Sequence, residues 1–174
     1  YIRRKDIQNY LQTSPTYTIY MQKPGRFSRR MFRAGRPGAI LCADVACMTG
    51  WSEDNDKIRY LLVVMDLFSK FLWVRTLTSL KSQNVIDKFQ PIFDDSVYQT
   101  TKICTDKGVK FRNNEIQRYF KARNISTYFT YNKIIKASPV ERIIKTIKIR
   151  IGKYLHGRKT FRYIDDLESL VYGY

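Results

Sequence analysis

Residues 58–77, IRYLLVVMDLFSKFLWVRTL, constrain the fold more than any other stretch of this chain. Two apolar runs, 58–67 and 71–77, are separated only by Phe68, Ser69 and Lys70. Parallel strands need a crossover of roughly a dozen residues, so a link of three forces an antiparallel pair. The preceding run AILCADVACM, 39–48, is short, apolar and bounded by Gly38 and Gly50, the mark of a central strand. WSEDNDK is the polar turn that joins it to the pair. Three strands in an antiparallel meander therefore open the core.

The hydrophobic period then changes. SQNVIDKFQPIFDD, 82–95, sets Val85, Ile86, Phe89, Ile92 and Phe93 at helical spacing, with Pro91 expected to kink or shorten the helix. KICTD, 102–106, reads as a fourth strand. NNEIQRYFKARN, 113–124, reads as a helix with Ile116, Tyr119 and Phe120 on one face, and ISTYFT, 125–130, as a fifth strand. From Pro139 to Leu155 an apolar stripe of Val140, Ile143, Ile144, Ile147, Ile151, Tyr154 and Leu155 predicts a long helix. YIDDLESLVYGY predicts a last one. The order β-β-β-α-β-α-β-α-α gives an α/β fold: a mixed five-stranded sheet, three antiparallel strands followed by βαβα, flanked by helices. Ahead of it, residues 1–37 read as a basic arm with a short helix over 3–12, and 38–174 as the core domain. The first residue is Tyr1, and the expectation is a piece of a longer chain.

Charge is unevenly placed. Residues 1–38 hold nine basic and one acidic side chain, and 39–106 hold seven and nine. Residues 107–162 hold sixteen basic side chains against Glu115 and Glu141 alone. Two cationic flanks around a near-neutral centre point to a polyanion, nucleic acid rather than membrane. No run approaches the ~20 apolar residues of a bilayer span. Cys42, Cys47 and Cys104 show no pairing or zinc spacing; each is expected as a buried thiol in a reducing, intracellular compartment.

Three acids stand out against their neighbours. Asp44 lies mid-strand in LCADVAC, where burying a carboxylate is costly without a partner, and its same-face neighbours Cys42 and Ala46 are small. A bonded Arg or Lys would explain it equally well. Asp106 ends the fourth strand, where an Asp ahead of Gly commonly makes a turn. Glu141 completes a capping box with Ser138, with Pro139 at the first helical position. It also heads a row formed with Lys145 and Lys148 on the polar side of the helix. Asp66, at the end of the second strand, is read as structural, holding the hairpin. If Asp44, Asp106 and Glu141 converge, they repel unless divalent cations lie between them, and two Mg²⁺ would suit in-line phosphoryl displacement.

ADVACM, KIRYLLVVMDLFSKFLWV, TDKGVKF and KASPVERIIKTIK, in that order, resemble the catalytic core of retroviral and retrotransposon integrases, a family with a ribonuclease H-like fold and a D, D, E triad. The run KAS-VER and the arm SPTYTIY are most similar to integrases of Maverick/Polinton transposons. Asp106 and Glu141 have 34 residues between them, close to the family's spacing. The resemblance implies that Asp44, Asp106 and Glu141 are catalytic and hold two Mg²⁺ or Mn²⁺ ions. It implies trimming of element DNA ends and attack of their 3′-hydroxyls on target DNA. Lys107, Lys136, Arg142, Lys145 and Lys148 would then touch DNA. A homo-oligomer in the nucleus is the family expectation. The family's zinc-binding and C-terminal modules fall outside these residues, so weak DNA binding is expected of this piece. Leu41, Cys47, Lys110 and Ile143-Ile144 depart from the family pattern, which keeps open a degenerate, non-catalytic nucleic-acid-binding module. A ribonuclease H-type nuclease is the other alternative.

Overall fold

The computed structural model describes residues 3–13, 33–95, 99–105, 111, 113–129 and 139–172. The chain divides into residues 1–31 and residues 32–174. In the first unit, helix α1 spans Arg4–Thr13, and the Arg3 backbone N–H donates to the Asp6 carboxylate at 3.1 Å.

The second unit contains β1 (Ile40–Cys47), β2 (Tyr60–Asp66), β3 (Leu72–Leu77), α2 (Ser82–Asp94), β4 (Lys102–Thr105), α3 (Asn114–Ala122), β5 (Ser126–Phe129), α4 (Pro139–Arg158) and α5 (Leu167–Val171). Short 3₁₀ turns cover Thr49–Trp51 and Ile164–Asp166, the second replacing the first part of the expected final helix. The sheet order is β3-β2-β1-β4-β5. β1 pairs antiparallel with β2 and parallel with β4, β2 antiparallel with β3, and β4 parallel with β5. The hairpin link, five residues in the structure (67–71) against the three expected, thus produced the antiparallel half. The helical segments between later strands produced the parallel half.

Strand alternation splits the core into two layers. On one side Leu41, Ala43, Val45, Leu62, Val64 and Ile103 pack with Val85, Phe89 and Ile92 of α2 and Ile116 and Phe120 of α3. Phe89 lies at the centre of this layer, edge-on to Phe120 with ring centroids 5.3 Å apart. On the other side Cys42, Ala46, Leu61, Val63, Met65 and Cys104 receive Val140, Ile143, Ile147, Ile151 and Leu155 of α4. Pro91 falls in the last turn of α2, so the N–H it lacks interrupts little, and the helix ends three residues later. Asn113 caps α3, its side-chain oxygen accepting from the Glu115 backbone N–H at 3.0 Å.

Two polar fixtures hold connections in place. Asp66 is buried and accepts from the backbone N–H of Ser69 at 3.0 Å and from its hydroxyl at 2.5 Å. Burial raises its pKa, but these bonds and the backbone N–H groups of Gly38 and Phe68 outweigh that and hold the carboxyl below its ordinary range. Lys70 closes the same hairpin at φ 65°, a left-handed conformation that a tight turn demands. Asn55 is fully buried: its amide donates to the carbonyls of Trp51 and Phe161 and accepts from the backbone N–H groups of Tyr163 and Ile164.

Candidate active site

Asp44 stands in the central strand, opposite Val63 of β2 and between Cys42 and Ala46. Those three belong to the layer under α4, so the two-residue period assigns Asp44 to that side of the sheet. It is half-buried, and its Oδ1 accepts from the Val45 backbone N–H at 2.7 Å. Partial exposure lowers the desolvation cost that an acid in this strand would otherwise carry. The small neighbours expected from the sequence are there.

Among the described residues β4 spans Lys102–Thr105. Its last described pairing with β1 joins Thr105 to Ala43, which are the residues immediately before Asp106 and Asp44. Asp106, Lys107, Lys136 and Ser138 lie outside the described residues, and so does the capping box at Ser138. Among the described residues no group of three His, Cys, Asp or Glu side chains comes together as a metal site.

The first turn of α4 brings Glu141 to the same side of the sheet as Asp44. Val140 and Ile143 are buried in the same layer as Cys42 and Cys104, and α4 packs on β1 and β2. Glu141 and Arg142 are exposed between those anchors. Lys145 is exposed and Lys148 half-buried, on the helix side that carries Glu141 and away from the buried stripe. The long helix therefore combines one apolar face with a polar face headed by a carboxylate and followed by lysines.

Cys47 corrects an expectation. It ends β1 exposed rather than buried, while Cys42 and Cys104 are buried free thiols. Hydrogen bonding to the side chain and backbone of Thr49 lowers the Cys47 pKa, and the charges of Lys148 and Arg59 add to this. Lys148 of α4 is thus within electrostatic reach of the end of β1. Hydrogen bonding with Cys104 and burial push the Cys42 thiol upward.

As donors, Asp44 and Glu141 offer carboxylate oxygens, the hard ligands that Mg²⁺ and Mn²⁺ take. The soft thiols nearby, Cys42 and Cys104, are buried, free and hydrogen-bonded to one another. This donor chemistry fits a hard divalent cation. No described helix is long and apolar enough to cross a membrane.

The strand order, the mixed pairing and the flanking helices define a ribonuclease H-like fold of the integrase-core kind. In structure the chain is similar to the HTLV-2 integrase catalytic core domain, solved with magnesium in a dimeric form. The TM-score is 0.63 at 22% identity, over 80% of this chain and 88% of that one. In sequence it is 34% identical over 126 residues to a transposon-derived protein of Caenorhabditis elegans. That match takes in 72% of this chain and 44% of the relative, so the chain spans less than half of the relative's length. No family model matches.

Proposed function

We propose that this chain is the catalytic core of a DNA integrase or transposase, a polynucleotidyl transferase acting by in-line phosphoryl transfer. The observation that carries the reading is the position of Asp44 in the central strand, on the sheet side covered by the first turn of α4 with Glu141. The β1–β4 pairing described as far as Ala43 and Thr105, the residues before Asp44 and Asp106, supports it, as do the likenesses to an integrase core and a transposon-derived protein.

In this reading Asp44, Asp106 and Glu141 hold two Mg²⁺ or Mn²⁺ ions. When bound, the ions supply Lewis acidity at the phosphorus-bound oxygens and lower the pKa of the attacking hydroxyl. The chain's own work is positional and electrostatic. Asp44 on a paired central strand and Glu141 on a packed helix present anionic oxygens from rigid elements. Arg142, Lys145 and Lys148, with Lys107 and Lys136, neutralise phosphates beside them and fix the register of the DNA. No covalent enzyme intermediate is required. The substrates are element ends and target DNA, in the manner of Maverick/Polinton elements, in the nucleus and as a homo-oligomer.

The test is a strand-transfer and disintegration assay with Mn²⁺ and Mg²⁺, wild type beside Asp44→Asn, Asp106→Asn and Glu141→Gln. Wild type is expected to form product and each variant to fall to background with an unchanged melting temperature. Equal product from wild type and Asp44→Asn would sink the catalytic reading and leave a binding module. Faster cutting of an RNA–DNA hybrid than of DNA would instead make the chain a ribonuclease H-type nuclease.

A further inference from the structure

The flank formed by α3 and β5 carries a second cationic surface, on the opposite side of the sheet from α4. Helix α3 packs with α2 on the Leu41, Val45 and Ile103 side, whereas α4 packs on the Cys42 and Val63 side. Asn114, Gln117, Arg118 and Lys121 follow one another at i, i+3, i+4 and i+7 along α3. They line a groove of about 490 Å³ closed by Ser126 and Thr127 of β5, with buried Ile125 beneath. Among the described residues β5 is an edge strand of the sheet.

Its chemistry is selective. Its cations are Arg118 and Lys121, beside Asn114 and Thr127; the Gln117 amide donates to the Phe111 carbonyl and the Ser126 hydroxyl to the Thr101 carbonyl, and no carboxylate lines it. Arg118 and Lys121 are exposed and form no ion pair among the described residues. The next arginine on the chain, Arg123, pairs with Asp94 at 3.5 Å and covers the rings of Phe93 and Tyr119. One arginine is thus used to hold the fold, and its neighbours are left available. Two neighbouring cations flanked by the Asn114 amide and the Thr127 hydroxyl match a sugar-phosphate backbone, whose phosphates are contacted by Arg, Lys, Thr and Asn alike. An acidic peptide would ask for denser charge, and an apolar ligand for a wall that this groove lacks.

We propose that this groove is a second phosphodiester-backbone site, holding a DNA segment distinct from the one along α4. Only the identity of that segment, a second DNA partner in the joining reaction, rests on the function proposed above. The binding itself does not.

The experiment uses the 174-residue chain, a fluorescent duplex of random sequence and anisotropy at several salt concentrations. Each phosphate contact contributes about 0.9 to the slope of log K against log salt, so Arg118→Gln with Lys121→Gln should flatten it by about 1.8. The slope is read in a Lys145→Gln/Lys148→Gln background, so that binding along α4 does not mask the α3 groove. Capture of a labelled duplex by a bead-bound duplex should also require Arg118 and Lys121. An unchanged slope and unchanged capture in the Arg118/Lys121 variant overturn the proposal. So does loss of polyglutamate binding with DNA binding intact, which would mark a protein-docking surface. Asp44→Asn separates the two readings: it is expected to abolish joining while leaving the slope and the capture unchanged. If Asp44→Asn leaves joining intact, the catalytic reading fails and the groove is judged on slope and capture alone.

Discussion

Asp66 and Asp44 are both carboxylates in neighbouring strands, and they use their oxygens differently. Asp66 has both engaged by the hairpin that follows it, with the Phe68 N–H at 3.3 Å and Ser69 closer still. Asp44 accepts from the adjacent Val45 N–H rather than from a following turn, and faces the α4 side half-exposed. The depressed pKa of Asp66 gives a pH signature. Its stabilisation is present above the ordinary value of 3.8 and is lost as pH falls through the lower folded value. Asp66→Asn should therefore cost about 1–3 kcal/mol at pH 7, and the gap to wild type should narrow by pH 2.5. Urea unfolding at both pH values reads this, and a gap independent of pH would refute it. The structural role of Asp66 was legible because a strand end followed by Ser at +3 offers such bonds within the same turn. The exposure of Cys47 was not legible. Alternation tells which side a residue faces, but not how far the covering helices reach.

At the scale of elements, α4 was the most readable part of the chain. Its buried residues Val140, Ile143, Ile147, Ile151 and Leu155 were all in the expected stripe, with Ile144 and Tyr154 half-buried at its border. The helix extends to Arg158, three residues further than the stripe, because polar ends continue helices without an apolar signature. Ile147 sits mid-helix with 1% exposure and anchors α4 to the sheet. Ile147→Ala should destabilise by about 2–5 kcal/mol, since the facing strands cannot collapse into the space left. A denaturant midpoint close to wild type would show that α4 is not a load-carrying layer. The candidate site was legible only in part. Residue spacing named Asp44 and Glu141, and packing explains why they share a side of the sheet. The α3 groove gave no comparable sequence signal, because its cations gain meaning only from the edge strand beside them.

Across the whole molecule, long-range polar ties join segments that sequence reading treats separately. Asn55 links the β1–β2 connection to residues 161–164, more than a hundred positions later. Arg162 adds an exposed layer over it, paired with Asp56 at 2.8 Å and with Asp165 at 2.6 Å. Exposed pairs of this kind contribute little, whereas a buried amide satisfying four backbone groups contributes more. Asn55→Ala should cost on the order of 3 kcal/mol and speed hydrogen exchange at Tyr163 and Ile164. Exchange at those two amides equal to wild type would show that the amide is dispensable.

The Asn55 amide also has a consequence for handling. Ionic strength high enough to strip nucleic acid from a cationic protein screens exposed charge pairs as well, including those of Arg162. A neutral, buried amide is indifferent to that screening. The C-terminal segment over the Tyr163 side of the core is therefore fastened by a lock that salt does not open, so washing the protein free of polyanions should leave its architecture intact.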